Sequence, residues 1–240
     1  MAVIALFVCI VSQGVLFATS DCCKNATDLV RLWVHECNRV YRDKLVEQRD
    51  IDLYDKIHYD AVKKCFEDFD DNLIFRQPLL FCHFAAGIGD SKYQPVTDYA
   101  EVCRLLKEAL DNHNELNAAM NLVLFDDAVS HVLRINRVLE GPRGNALLIG
   151  VGGSGKQSLS RLAAFIAGLE VFQITLKKGY DLFDLKNDLA ALYQKAGTKN
   201  VGIVFLMTDA QASYLLTYCL RHFWRAFCFD RRLSVLLSVC

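Results

Sequence analysis

The sequence predicts an α/β protein: a partial parallel sheet in three layers, preceded by a small helical region. From Asn145 onward, apolar runs of strand length alternate with segments of helical periodicity, in the order strand, glycine loop, helix, strand, helix, strand. Upstream of Asn145 the apolar residues repeat mainly at helical spacing. With 240 residues, 53% of them hydrophobic, the chain is long enough for a packed core without disulfides or metals. Its net charge of -1 provides no basic surface for nucleic acid.

The first helical segment is "DLVRLWVHECNRVYRDKL", residues 28–45. Its apolar residues fall on one side at helical spacing, which predicts an amphipathic helix with Leu29, Leu32, Trp33 and Cys37 inward. His35 is interpreted as a histidine at the edge of the core, because no second metal-type residue lies one turn away. The charge-rich segment 47–72 predicts a solvated helix followed by a turn at Asp71-Asn72.

The first twenty residues, "MAVIALFVCIVSQGVLFATS", are expected to form a buried strand. A signal peptide is the alternative, because the apolar run ends in small residues, but it lacks the positive segment that such peptides carry at their start. The run is also short for a membrane span and is interrupted by polar residues and glycine.

The chain contains 10 cysteines, none in a spacing that holds zinc. They are expected to be reduced, mostly buried thiols of an intracellular protein. Adjacent Cys22 and Cys23 leave a metal or redox pair open as the alternative reading.

The segment 75–96 is expected to be strand or loop, because Gly and Pro punctuate it, and to contain the boundary between two domains. The predicted regions are therefore 1–95, a helical lid-like region, 96–211, a nucleotide-binding region, and 212–240, an apolar tail. Two further helices are predicted near residues 98–117 and 124–141.

The α/β part begins with "NALLI", an all-apolar run typical of a strand buried on both faces. The elements after it are a helix from Lys156 that ends at Gly168, a strand at 171–176, a helix from Asp181 that stops at Gly197, and a strand at 201–209. This alternation predicts a doubly wound unit with right-handed crossovers.

The glycine loop between the first strand and its helix carries the chemistry. "GVGGSGK", residues 150–156, fits G-x-x-x-x-G-K in the strand–loop–helix context that this pattern requires. Its glycines let successive main-chain N–H groups converge on phosphate oxygens, and the helix N-terminus adds partial positive charge. Lys156 is placed to reach the β- and γ-phosphates. The sequence therefore predicts a nucleotide site.

Two positions depart from a complete hydrolytic site. Gln157 stands where a Ser or Thr hydroxyl usually coordinates magnesium, and Ser158 points about 100 degrees further around the helix. Asp209 ends the third strand, where a second magnesium-linked carboxylate is expected. Ala210 follows it in the place of a glutamate base, and Gln211 can orient water but is a poor proton acceptor. Nucleotide binding is thus expected to survive better than hydrolysis, and no catalytic residue is assigned.

At these motifs the sequence resembles the fourth AAA+ module of an axonemal dynein heavy chain. The resemblance rests on "LVLFDDAVSHVLRINRVL", "RGNALLIGVGGSGKQSLSRLAAFI" and "VFLMTDAQ", which occur in family order. The helix at 28–45 is similar to the small helical lid that closes the third module. The resemblance covers roughly residues 13–211; the first dozen residues fit poorly, and the tail from 212 is expected to lack the later strands, as in a fragment or truncated product.

The resemblance implies a partial P-loop NTPase fold and a set of site residues. The nucleotide loop would comprise Gly150, Val151, Gly152, Gly153, Ser154, Gly155, Lys156, Gln157 and Ser158. Mg²⁺ would be held by Asp209 and Gln157, and the segment around Val123 and Leu124 would lie near the adenine. Arg31, Arg39 and Arg42 lie on the lid helix, where modules of this family can present an arginine to nucleotide; a solvated basic face is the favoured interpretation.

The resemblance also implies cofactors, partners and a location. The cofactors are ATP or ADP with Mg²⁺. The partners are the rest of the dynein motor ring, other dynein chains and microtubules, without nucleic acid or membrane, in the cytoplasm, cytoskeleton and ciliary axoneme. The module would hold nucleotide with weak or no hydrolysis. The alternatives are a stand-alone P-loop NTPase or kinase, and a non-enzymatic truncated product.

Overall fold

Two units make up the chain, residues 1–102 and residues 103–240. The computed structural model describes residues 2–66, 68–89, 91–142, 144–175, 177, 180–208, 211 and 233–239. Among these residues, no helix is both long enough and apolar enough to cross a membrane.

The first unit is mainly helical. Its elements are α1 (Ala2–Val15), α2 (Ala26–Val40), a 3-10 turn (Arg42–Lys44), α3 (Gln48–Cys65), the short α4 (Asp71–Ile74), and two paired strands, β1 (Phe81–Cys82) and β2 (Gln94–Pro95). The helix predicted at 28–45 is therefore confirmed. Leu29, expected to face inward, is 46% exposed, whereas Val30 and Val34 are buried with Leu32 and Cys37, so α2 is covered on more than one side.

The N-terminal segment is a helix, so the expected buried strand is wrong. Phe7, Ile10 and Val11 recur at helical spacing and pack against Cys37 and Val40 of α2. Ser12 is tolerated inside this apolar helix because its hydroxyl donates to the carbonyl of Val8 at 2.9 Å. The apolar run expected to be a strand is therefore a helix with one face against α2.

The expected turn at Asp71-Asn72 is instead the start of α4. The Asp70 carboxylate accepts the N–H of Asn72 at 2.9 Å and caps this helix. Ile74, at the end of α4, is buried with Val30, Val34 and Val62. The capped turn therefore brings a core residue inward, which a solvent-exposed turn would not do.

A buried carboxylate links α2 to a distant segment of the first unit. Glu36 of α2 is 0% exposed and accepts a hydrogen bond of 2.5 Å from the hydroxyl of Tyr93. The neighbouring His35 is 1% exposed, and its Nδ1 lies 3.3 Å from the carbonyl of Leu79. His35 is thus a core histidine, more deeply buried than the edge position expected from the sequence. These polar contacts tie α2 to the segment that carries the two short strands.

The second unit contains a four-stranded parallel sheet. Its elements are α5 (Tyr99–Leu116), whose first residues precede the unit boundary, α6 (Asp126–Glu140), β3 (Ala146–Ile149), α7 (Lys156–Ile166), β4 (Glu170–Gln173), α8 (Leu182–Lys199), β5 (Ile203–Thr208) and β6 (Leu233–Val239). The strand order is β3-β6-β5-β4, and every pairing in this sheet is parallel.

The sheet has helices on both faces, as the three-layer prediction requires. Alternate residues of β5, Ile203, Phe205 and Met207, pack against Leu185 and Leu192 of α8. The intervening Val204 and Leu206 are also fully buried, and since neighbouring strand residues point to opposite faces they lie on the side where α7 contacts β5. α6 packs on α7.

Two expectations about the sheet are wrong. The tail supplies a strand after all, because β6, "LSVLLSV", lies between β3 and β5. In addition, β3 is not buried on both faces: it lies at the sheet edge, with Leu147 56% and Ile149 75% exposed. Apolar composition alone does not distinguish an edge strand from a central one.

The end of α8 also differs from the sequence prediction. Gly197 lies inside the helix, which continues to Lys199, and Asn200 then adopts the left-handed conformation with φ of 56°. Asn tolerates this conformation better than most residues with a side chain, so it ends the helix in place of glycine. At the other end, the Asp181 carboxylate accepts the N–H groups of Phe183 and Asp184.

Tyr93→Phe is predicted to destabilise the first unit. It leaves the buried Glu36 without its hydroxyl donor, at a cost of about 1–3 kcal/mol. Hydrogen exchange measures this loss of stability, because the amides of α2 are expected to exchange faster when the helix opens more often. The matched control is Tyr59→Phe, because the Tyr59 hydroxyl bonds Asp71 at the exposed surface. Equal protection of α2 in both variants would contradict the structural role of the Tyr93–Glu36 contact.

Candidate functional site

The glycine loop lies between the end of β3 and the start of α7. Gly153 and Gly155 both have φ of 77°, a left-handed conformation that residues with a Cβ atom rarely adopt. Gly155 is the N-cap of α7 and supplies no side chain to bond the first helical N–H groups. The loop therefore delivers the chain into α7 with the helix N-terminus uncovered by a capping side chain, as the motif predicts.

Lys156 folds back over the loop that precedes it. Its ammonium donates to the carbonyl of Gly150 at 2.7 Å and to that of Val151 at 2.8 Å, and lies 3.4 Å from the Ser154 hydroxyl. A Cβ atom on Gly150 would come within 3.7 Å of Ser154 Oγ and 3.9 Å of Lys156 Cδ. Loop and lysine thus form one cradle, and residues 151–154 on its outer side are exposed.

The residues after the lysine are only partly available to a ligand. Gln157 is exposed in the first turn of α7, and Ser158 is half-buried. Ser160 is buried, and its hydroxyl donates to the carbonyl of Lys156 at 2.8 Å. The predicted magnesium carboxylate Asp209 and the neighbouring Ala210 lie outside the described residues, so the metal assignment to Asp209 and Gln157 stays a prediction.

Gln211 has a role that the sequence did not indicate. Its side chain is buried; Oε1 accepts the N–H of Thr208 at 3.0 Å, and Nε2 donates to the carbonyl of Ile174 at 2.5 Å. Thr208 ends β5 and Ile174 follows β4, so the amide joins the carboxyl ends of two adjacent strands. With both ends of its amide engaged, Gln211 is not placed to orient water, which corrects the sequence interpretation.

An apolar segment passes beside the loop. Leu122 Cδ1 lies 3.8 Å from the position of a Cβ atom on Gly155. Val123, next in sequence, is 76% exposed, Leu124 is half-buried, and Phe125 before α6 is exposed. The segment predicted to lie near the adenine is therefore close to the glycine loop and carries exposed apolar side chains.

The three arginines on and after the lid helix are engaged within the first unit. Arg31 donates to the carbonyls of Leu73, Ile74, Arg76 and Pro78. Arg39 pairs with Asp43 at 3.2 Å, and Arg42 makes a two-point contact with Asp55 that raises its pKa. A solvated basic face is therefore a poor description, since these side chains hold helices and loops of the unit together.

A parallel sheet with helices on both faces, a glycine loop, and a lysine at the start of the next helix define a P-loop module of the AAA+ type, with a helical lid unit before it. Two family models match the chain accordingly: the P-loop containing dynein motor region D4 over residues 120–217, and the AAA+ lid domain over residues 5–76. The chain belongs to the axonemal dynein heavy chain family. The lid match begins at residue 5, so the poor fit expected for the first dozen residues is wrong.

Several curated relatives align with most of this chain. Human dynein axonemal heavy chain 17 is 62% identical over 201 residues, and the ciliary dynein beta chain of Heliocidaris crassispina is 59% identical over 203 residues. The dynein alpha chain of the flagellar outer arm of Chlamydomonas reinhardtii is 46% identical over 205 residues. These alignments cover 84%, 85% and 84% of this chain, but 4%, 4% and 5% of the respective relatives.

Gln211→Ala is predicted to loosen the carboxyl ends of β4 and β5. It removes both hydrogen bonds of the amide and leaves two main-chain groups to be resolvated, at about 1–3 kcal/mol for each group that stays buried. Hydrogen exchange of the Thr208 amide is expected to accelerate. Gln194→Ala, at an exposed position of α8, is the control. Unchanged protection of Thr208 in Gln211→Ala would show that the amide does not hold the strands.

Proposed function

We propose that residues 150–158 hold the phosphates of ATP or ADP. The observation that carries this proposal is the conformation of Gly153 and Gly155, both left-handed, directly before the N-terminus of α7. A phosphate placed there meets main-chain N–H groups and the positive end of the helix dipole. Residues 150–158 fit a phosphate group because the outer side of the cradle is exposed and bears no side chain at Gly152, Gly153 or Gly155.

In this proposal Lys156 changes its hydrogen-bond partners when nucleotide binds. Its ammonium lies on the loop carbonyls of Gly150 and Val151, within the cradle itself. A polyphosphate offers oxygens of higher negative charge than a carbonyl, and charge-assisted hydrogen bonds are roughly twice as strong as neutral ones. The lysine would therefore exchange carbonyl partners for phosphate oxygens when nucleotide binds.

The adenine is proposed to lie against the segment around Val123 and Leu124. Leu122 lies beside Gly155, so the exposed side chain of Val123 is in the same part of the unit as the phosphate loop. Burial of an apolar side chain under an aromatic base is favourable because both surfaces leave water. The base and the phosphates would thus be held by neighbouring but separate segments.

The module is proposed to retain nucleotide with weak or no hydrolysis. Gln157 replaces the hydroxyl that normally joins the magnesium shell, and Ala210 provides no carboxylate to accept a proton from water. Gln211 is committed to the main chain of β4 and β5. Mg²⁺, with Asp209 and Gln157 as its candidate ligands, would screen the charges of the phosphates. Because Ala210 supplies no base, the bound metal would support binding of nucleotide more than its hydrolysis.

At the level of the whole protein, the names of the relatives suggest the wider role. Those names describe axonemal, ciliary and flagellar outer-arm dynein chains. We propose that this chain acts as a regulatory or structural nucleotide-holding part of a microtubule-based motor in the ciliary axoneme. Its partners would be the rest of the motor ring, other dynein chains and, through the longer protein, microtubules of the cytoskeleton.

Lys156→Ala is predicted to weaken binding of ATP and ADP by about 10- to 100-fold, since a hydrogen bond to a charged group contributes about 1.5–3 kcal/mol. Calorimetric titration with each nucleotide, in the presence of Mg²⁺, measures the change. The control is Lys199→Ala, which removes an exposed lysine at the end of α8. Equal affinity in the wild-type chain and the Lys156→Ala variant would refute the site assignment.

Hydrolysis is predicted to be absent or very slow in the wild-type chain. Release of phosphate from ATP is expected to match that of the Lys156→Ala variant, whereas Ala210→Glu, which adds a carboxylate at the position of the missing base, is expected to raise it. Single-turnover measurement with excess protein gives the rate. Wild-type hydrolysis that Asp209→Ala abolishes would show that the site turns over nucleotide and would favour a stand-alone NTPase.

A further inference from the structure

Two thiols of the first unit are held side by side in the turn that joins α1 to α2. The sulfur atoms of Cys22 and Cys23 are 3.4 Å apart. Adjacent side chains of an extended strand point to opposite faces, so this closeness depends on the turn. Both main-chain N–H groups, at 3.0 and 3.1 Å, donate to the same carbonyl, that of Thr19, which fixes the turn that brings the thiols together.

The surroundings leave the sulfurs as the available donors. Cys22 is 6% exposed, and Cys23 is half-buried, packed against the apolar cluster of Leu32, Phe81 and Tyr93. The nearby carboxylate of Asp28 already accepts the N–H groups of Lys24 and Asn25, both at 3.1 Å. Among the described residues, no group of three or more His, Cys, Asp or Glu side chains is arranged to hold a metal ion.

We propose that Cys22 and Cys23 form a dithiol chelate for soft, thiophilic centres that need two sulfur ligands, with trivalent organoarsenicals as the defining class. A structural zinc ion requires four ligands, which this pair does not supply. A trivalent organoarsenical brings its own organic substituent as the third ligand. With metal–sulfur bonds of about 2.3 Å, sulfurs at this separation are spanned by one atom with little movement of the turn.

A disulfide between the same two residues is disfavoured by backbone geometry. Disulfide-bonded residues usually have Cα atoms about 4.4–6.8 Å apart, whereas neighbours joined by a trans peptide are about 3.8 Å apart. Burial and the adjacent Cys22 thiol raise the pKa of Cys23 to about 12, which keeps this sulfur a thiol at neutral pH and slows its attack on an oxidant and on arsenic alike. Chelation avoids the geometric obstacle, because an inserted atom bonds both sulfurs while they stay about 3.4 Å apart and no direct sulfur–sulfur bond has to form.

The reaction with phenylarsine oxide balances without an oxidant or reductant. The arsenic remains trivalent; its oxygen takes the two thiol protons and leaves as water, and two arsenic–sulfur bonds replace the arsenic–oxygen bond. The product is a nine-membered ring that contains the arsenic, the two sulfurs and the six atoms that join them through the Cys22–Cys23 peptide. A competing small dithiol reverses the reaction by taking the arsenic, whereas a monothiol at the same concentration does not, because it lacks the advantage of a second linked sulfur.

The experiment treats the full chain with phenylarsine oxide and measures mass and cysteine accessibility. The wild-type chain is expected to gain a phenylarsenic group that resists a monothiol and is released by a dithiol, with Cys22 and Cys23 protected together from alkylation. Cys22→Ser and Cys23→Ser are each expected to lose this one group. Cys65→Ser, which removes an exposed cysteine of α3, is expected to keep it.

Circular dichroism of the serine variants verifies that the fold is retained. The proposal is overturned if both serine variants keep the same monothiol-resistant uptake as the wild-type chain. It is equally overturned if diamide readily forms a Cys22–Cys23 disulfide while phenylarsine oxide fails to protect the pair.

Discussion

The burial of β5 on both faces is the constraint on which the second unit depends. This strand pairs with β4 on one edge and β6 on the other, and its side chains alternate between α8 and the α7 side. Five of its six residues are buried, which is possible only because parallel pairing satisfies the main chain while both faces stay apolar. The glycine loop is carried on the same sheet, so its position follows from this packing.

Polar groups organise the first unit in a comparable way. The Glu36 carboxylate is satisfied by Tyr93, and the guanidinium of Arg31 collects four main-chain carbonyls from residues 73–78. Both side chains come from α2 and reach segments far away in sequence. A buried charge without a partner is costly, so these contacts restrict how residues 73–93 can pack against α2. The lid unit is thus held by specific partners as well as by its apolar clusters.

The sequence predicted the elements whose apolar period is long and regular. It located α2, α5, α6, α7 and β5, and it found the glycine loop, because the G-x-x-x-x-G-K pattern requires both special conformations and a strand–helix context. It failed where composition and period disagreed. In α1 the continuous apolar run suggested a strand, although Phe7, Ile10 and Val11 lie on one helical face.

The remaining differences arise from partners distant in sequence. In the sequence Gln211 lies close to the predicted magnesium ligand Asp209, yet its amide joins β4 and β5, a role visible only once Ile174 is brought next to it. The strand identity of β6 likewise depends on a gap between β3 and β5 that no local pattern reveals. Dynein family membership came from motif order, whereas the engagement of Arg31, Arg39 and Arg42 needed coordinates.

The position of the Lys156 ammonium on the carbonyls of Gly150 and Val151 has a consequence for selectivity. An incoming anion does not meet a vacant positive charge, because it must first outcompete neutral oxygens that the protein itself provides. Small, weakly charged solutes such as acetate or chloride gain little from that substitution. In the proposed phosphate-binding role, a chain of several phosphates would gain more, since it would engage the amide groups of the loop at the same time as the amine, and the cradle would discriminate by the number of simultaneous contacts a ligand makes.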